Sequence, residues 1–115
     1  MDAILEQLGR LRGVGGSIVL SHDGLPMASL LRDGIDEDGL CATLADLLDR
    51  CRRMCDGVGV GLPRMLDLQS DGGAIVLRSI GENYLAILVD PQANLALLDL
   101  ETRPIVDALR NKLSL

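Results

Sequence analysis

Val14-Gly15-Gly16-Ser17-Ile18-Val19-Leu20-Ser21-His22-Asp23-Gly24-Leu25-Pro26-Met27-Ala28-Ser29 is the stretch on which the fold of this 115-residue chain turns. Two aliphatic runs flank Asp23-Gly24, where Gly accepts positive φ and Asp bonds to nearby backbone, so the reading is strand, tight turn, strand. The strands are expected over 17–21 and 25–31. Pro26 cannot donate to a ladder and belongs at the start of the second strand or on a free edge. Gly13, Gly15 and Gly16 mark a helix stop and a turn ahead of the first strand.

Upstream, Ile4, Leu5, Leu8 and Leu11 keep spacings of three and four, the stripe of a short helix. Downstream, Asp33-Gly34 ends the hairpin. Asp36, Glu37 and Asp38 then sit where the positive end of a helix dipole favours them, with Arg50, Arg52 and Arg53 at the other end. Gly57, Gly59, Gly61 and Pro63 form a link. Strands are expected over 64–70, 74–80 and 84–90; the short turns Asp71-Gly72-Gly73 and Gly81-Glu82-Asn83 can join only antiparallel neighbours. Asn94 is the expected N-cap of a last helix carrying Leu98, Ile105, Leu109 and Leu113, which Pro104 should kink or restart, with Thr102 as a second cap. The order is α-β-β-α-β-β-β-α, an α/β (α+β) pattern, and residues 1–115 read as one domain.

Hydrophobic residues make up 48% of the chain and charged ones 24%, a composition that folds. Tyr84 is the only aromatic residue, and the formal charge is −6 with a pI near 4.5. Neither stacking platforms nor a basic patch is on offer, so nucleic acid is not an expected partner. No apolar run reaches the roughly 20 residues of a membrane span, and the N-terminal residues lack the layout of a signal peptide. The expected setting is cytoplasmic, without membrane insertion. Ten arginines against one lysine, Lys112, hint at a GC-rich bacterial genome.

Candidate chemistry is thin. Gly13-Val14-Gly15-Gly16-Ser17 and Gly57-Val58-Gly59-Val60-Gly61 lack the Gly-Lys-Ser/Thr of a phosphate loop, and the first leads from helix to strand, the wrong order. Cys51 and Cys55 stand at i,i+4 on a helix, but a structural zinc site needs four ligands, and only Cys41 and His22, elsewhere in the chain, could complete it. Ser21-His22-Asp23 is turn chemistry: adjacent residues cannot converge as a triad does. Asp33, Asp36, Glu37 and Asp38 lack the alternating ligands and distal Glu of a calcium loop. No catalytic residue, cofactor or metal is expected, and the chain reads as a binding module, not an enzyme.

The second helix is more informative. Leu40, Leu44, Leu47, Cys51 and Met54 form one apolar stripe, and Cys41, Ala45, Leu48 and Cys55 a second beside it. One stripe covers a sheet; the second would face water, and large exposed apolar patches mark interfaces. Self-association is the expected explanation, the alternative being that loops or other helices cover the patch.

The element order and the opening hairpin together resemble the roadblock/LC7 family, in which such a Gly-rich, hydrophobic, Asp-Gly hairpin follows a short first helix. Asn94-Leu95-Ala96-Leu97-Leu98 is similar to that family's entry into its last helix, with Ala96 where Gly is common. The resemblance implies a five-stranded antiparallel sheet between one long helix and two shorter ones. It also implies homodimerisation through the second helix and third strand, which places Cys41, Leu44, Ala45, Leu47, Leu48, Cys51, Cys55, Leu66 and Leu68 at the dimer interface. Members bind or regulate small Ras-like GTPases, so the implied function is a regulator or scaffold of such a GTPase, with Asp46, Asp49, Arg50 and Arg53 as partner contacts. The other readings are a structural adaptor in a motor or membrane-recruited complex, without effect on nucleotide turnover, and a small-ligand sensor.

Overall fold

The Asp23-Gly24 turn closes as its residues demand. The Ser21 amide donates to the Leu25 carbonyl at 2.9 Å, and the Gly24 amide to the Ser21 carbonyl at 3.0 Å. The Ser21 hydroxyl donates to the Asp23 carboxylate and accepts from the Leu25 amide at 3.0 Å. That hydroxyl is the main reason the Asp23 carboxyl lies below its ordinary range. Gly24 takes φ +91°, and a Cβ there would meet Ala45 Cβ at 2.9 Å, so the position requires glycine twice over.

The computed structural model describes residues 1–113. Its elements are α1 (Asp2–Gly9), β1 (Val14–Ser21), β2 (Pro26–Leu31), α2 (Glu37–Gly57), β3 (Met65–Ser70), β4 (Gly73–Ile80), β5 (Asn83–Val89) and α3 (Leu95–Leu113). All five strands join one antiparallel sheet in the order β2-β1-β5-β4-β3, so the last strand of the chain lies at the centre. The expected order and architecture are both present, though α3, at 19 residues, nearly equals the 21 of α2.

Alternation along the strands builds two cores. Val19, Val76, Leu85, Ile87 and Val89 point to one face, where Leu5 and Leu8 of α1 and Leu98, Ile105 and Leu109 of α3 cover them. Ile18, Leu20, Leu77, Tyr84 and Ala86 point to the other, under α2.

Two local expectations are corrected. β1 begins at Val14, so Gly15 and Gly16 belong to the strand and not to a turn. Gly16 is paired on both sides, with Leu31 and Leu88, and both neighbouring side chains reach within 3.4 Å of where its Cβ would stand, so pairing overrides glycine's poor strand propensity. α3 runs through Pro104 without restarting. Asn94 caps it as expected, accepting from the Leu97 amide at 3.1 Å. Thr102, however, is no second cap: its hydroxyl donates to the Asp99 carbonyl at 3.2 Å within the helix.

Candidate functional site

α2 lies with one line of side chains against the sheet. Cys41, Leu44 and Leu48 are 1–3% exposed, spaced by three and four residues. This corrects the assignment of Cys41, Leu44 and Leu48 to a dimer interface: the sheet covers them within a single chain. The physical reason is helix rotation. The inward line takes Leu44 from one expected stripe and Cys41 and Leu48 from the other, and an apolar arc this wide does not itself say which part faces in.

Rotation also decides the flanks. Ala45 and the Cys41 carbonyl stand over Gly24, so that side of α2 faces the β1–β2 turn. The opposite flank carries Leu40, Leu47 and Cys51, all half-buried, and Met54, 65% exposed. It leans toward the β3 side of the sheet, where Leu40 and Leu47 pack at the border of the same core as Leu66. Cys55 is half-buried near the end of the helix.

β3 is an edge strand bonded only to β4. Its register places Leu66 beside Leu77 and Leu68 beside Ile75, on the face that α2 covers. Leu66 is half-buried there, whereas Leu68 is 51% exposed. Edge strands are usually blunted by proline, lysine or a bulge. β3 has none of these, and Asp67 is its only charge. An open backbone edge and a flanking apolar helix surface therefore share one side of the molecule.

Asp46, Asp49, Arg50 and Arg53 line the solvent side of α2 and pair with each other: Arg50 reaches Asp46 at 3.2 Å and Arg53 reaches Asp49 at 3.1 Å. Exposed i,i+4 pairs of this kind contribute about 0.3–0.5 kcal/mol each, so they leave the charges available to a partner.

Arg52 departs from the sequence reading, which grouped it with Arg50 and Arg53. It extends the inward line one turn past Leu48 and is half-buried, with Nε shielded from solvent. The spacing 41, 44, 48, 52 carried that signal. Cys41, shielded by the sheet and facing the charges of Glu37 and Asp38, has its thiol pushed above the ordinary range. Among the described residues no group of three or more His, Cys, Asp and Glu is placed to hold a metal ion, and no helix is long and apolar enough to cross a membrane.

Similarity to known proteins runs the same way. The uncharacterized protein MJ0310 of Methanocaldococcus jannaschii is 26% identical over 110 residues, 96% of each chain. The crystal structure of a Roadblock/LC7 domain from Streptomyces avermitilis superimposes with a TM-score of 0.88 at 24% identity, covering 100% of this chain and 98% of that one. The gliding protein MglB from Thermus thermophilus superimposes with a TM-score of 0.83 at 18% identity, covering 95% and 84%. A family model of the Roadblock/LC7 domain matches residues 1–89, from the first residue to the end of the central strand β5. The hairpin at 14–31, the two-faced sheet and the flanking helices α1 and α2 all fall inside that span, and the chain belongs to the Roadblock/LC7 family.

Proposed function

We propose that this chain pairs with a second copy of itself through α2 and β3, and that the dimer regulates or scaffolds a small Ras-like GTPase in the cytoplasm of a bacterium. The observation that carries the pairing is the open edge of β3 beside the apolar flank Leu47, Cys51 and Met54 of α2. A two-fold axis there would join the β3 strands of two copies into one continuous sheet, and the same patch would serve on both sides, as an isologous contact requires. The interface set on that flank is then Leu47, Cys51, Cys55, Leu66 and Leu68, joined by Met54; Ala45, seated over the β1–β2 turn, lies on the other flank, and Asp46, Asp49, Arg50 and Arg53 face the GTPase. α3 lies beyond the family match yet packs on the same core as α1, which supports reading the chain as one domain.

Light scattering should give about twice the 12.3 kDa chain mass. Leu68→Lys with Met54→Lys should give monomer with an unchanged far-ultraviolet circular dichroism spectrum; a monomeric wild type sinks the reading. Arginine at 48 would test folding, not association, because Leu48 is in the core. Faster nucleotide turnover by a Ras-like GTPase encoded beside this chain supports a regulator. Binding without acceleration supports an adaptor.

A further inference from the structure

At one end of α2, a cleft of about 700 Å³ opens between the helix, the 57–63 loop and the β4–β5 turn. Small-molecule sites commonly measure about 300–1,000 Å³. The cleft is held open by covalent and hydrogen-bonded parts: Pro63 stiffens the loop, and the Tyr84 hydroxyl donates to the Pro63 carbonyl at 3.1 Å from a ring anchored in the core. Arg52 and Arg64 line it, together with the aliphatic Val60 and Leu62 and the polar His22, Ser79, Glu82 and Tyr84.

Arg52 is the unusual member. Its Nε is buried and has no hydrogen-bond acceptor among the described residues, a condition shared only with the Ser17 hydroxyl. A buried donor on a cation is strongly disfavoured unless an acceptor reaches it. Arg64 likewise makes no ion pair among the described residues. The adjoining cleft under α3, which Arg64 also lines, holds three further arginines that are paired. Its Arg78, Arg103 and Arg110 are matched by Asp67, Asp99 and Asp107. Two unmatched guanidiniums therefore face one cavity in a chain whose net charge is −6.

We infer that this cleft binds a small organic carboxylate, with Arg52 and Arg64 holding the carboxylate group and Val60 and Leu62 covering an apolar body. Glu82 in the same lining repels a second negative charge, which selects a singly charged ligand. Bidentate acceptance by a carboxylate is the geometry a guanidinium favours, and the Nη groups of Arg52 and Arg64, which line the cleft without an acceptor among the described residues, are the donors it would meet.

The test is a titration of the full chain with benzoate, followed through the arginine Nε–Hε signals by NMR, at ionic strength matched with sodium chloride. Arg52 and Arg64 should shift saturably, several-fold more tightly for benzoate than for acetate. Arg52→Gln should lose the saturable shift. Arg64→Gln, at an exposed position, should weaken binding several-fold even if the first variant folds poorly. A shift that never saturates, one in which Arg10 and Arg53 move in step with Arg52, or equal affinity for acetate overturns the inference.

Discussion

At Gly24, two demands coincide. The turn needs positive φ, and α2 comes so close that a methyl group would strike Ala45. Gly24→Ala should therefore destabilise the fold by about 1–3 kcal/mol, read as a lower urea midpoint at constant slope. Cys41 is the second telling residue. Burial, with Glu37 and Asp38 behind it, raises its thiol above the value it has in the unfolded chain. Between those two values the folded protein keeps a proton that the unfolded chain has released. Stability is thus fully present below the ordinary thiol range and declines as pH rises through it toward the folded value. Urea melts at increasing alkaline pH should show a steeper fall for wild type than for Cys41→Ala, and native Cys41 should resist alkylation while unfolded chain does not.

At the scale of elements, Pro104 stands exposed within α3 and leaves the Leu100 carbonyl without its usual amide donor. Pro104→Ala should raise the melting temperature, corresponding to about 1–3 kcal/mol, if nothing but local helix energetics is involved; a lower melting temperature would show that the proline shapes the packing of Ile105 and Leu109. Which features were legible beforehand follows from how local their causes are. The β1–β2 turn, the 73–89 meander and the Asn94 cap are written in adjacent residues, and each stands where the sequence puts it. The entry of Gly15 and Gly16 into β1 was not legible, because it comes from Leu31 and Leu88 across the sheet. The candidate site was legible as an element, α2, but not as a surface. An arc of apolar residues so broad fits several rotations about the helix axis, and only the seat of Ala45 over Gly24 selects one. That choice took Cys41, Leu44 and Leu48 inside and brought Arg52 to a cleft.

Across the whole molecule, Arg78 fastens the edge strand to the helix layer. Its guanidinium, 11% exposed, reaches Asp67 of β3 at 2.6 Å, the Leu77 carbonyl at 2.9 Å and Asp99 of α3 at 3.4 Å. Arg78→Met should cost about 1–3 kcal/mol, since it removes the shielded guanidinium that joins Asp67 to the half-buried Asp99. Hydrogen exchange should then quicken in β3 before it quickens in β5; uniform acceleration would mean that the arginine supports the core instead of the edge. The position of β5 has a consequence of another kind, in time. The central ladder joins the first strand to the fifth, so Val19 must wait for Leu85 before either is sealed from water. A nascent chain that has released only residues up to 80 lacks β5, the strand that joins the β1–β2 pair to the β3–β4 pair, so the edges of β1 and β4 that β5 fills have no partner. Synthesis is therefore the period of greatest exposure to aggregation, and a pause of the ribosome before β5 emerges would prolong it, whereas a pause after Val89 would not.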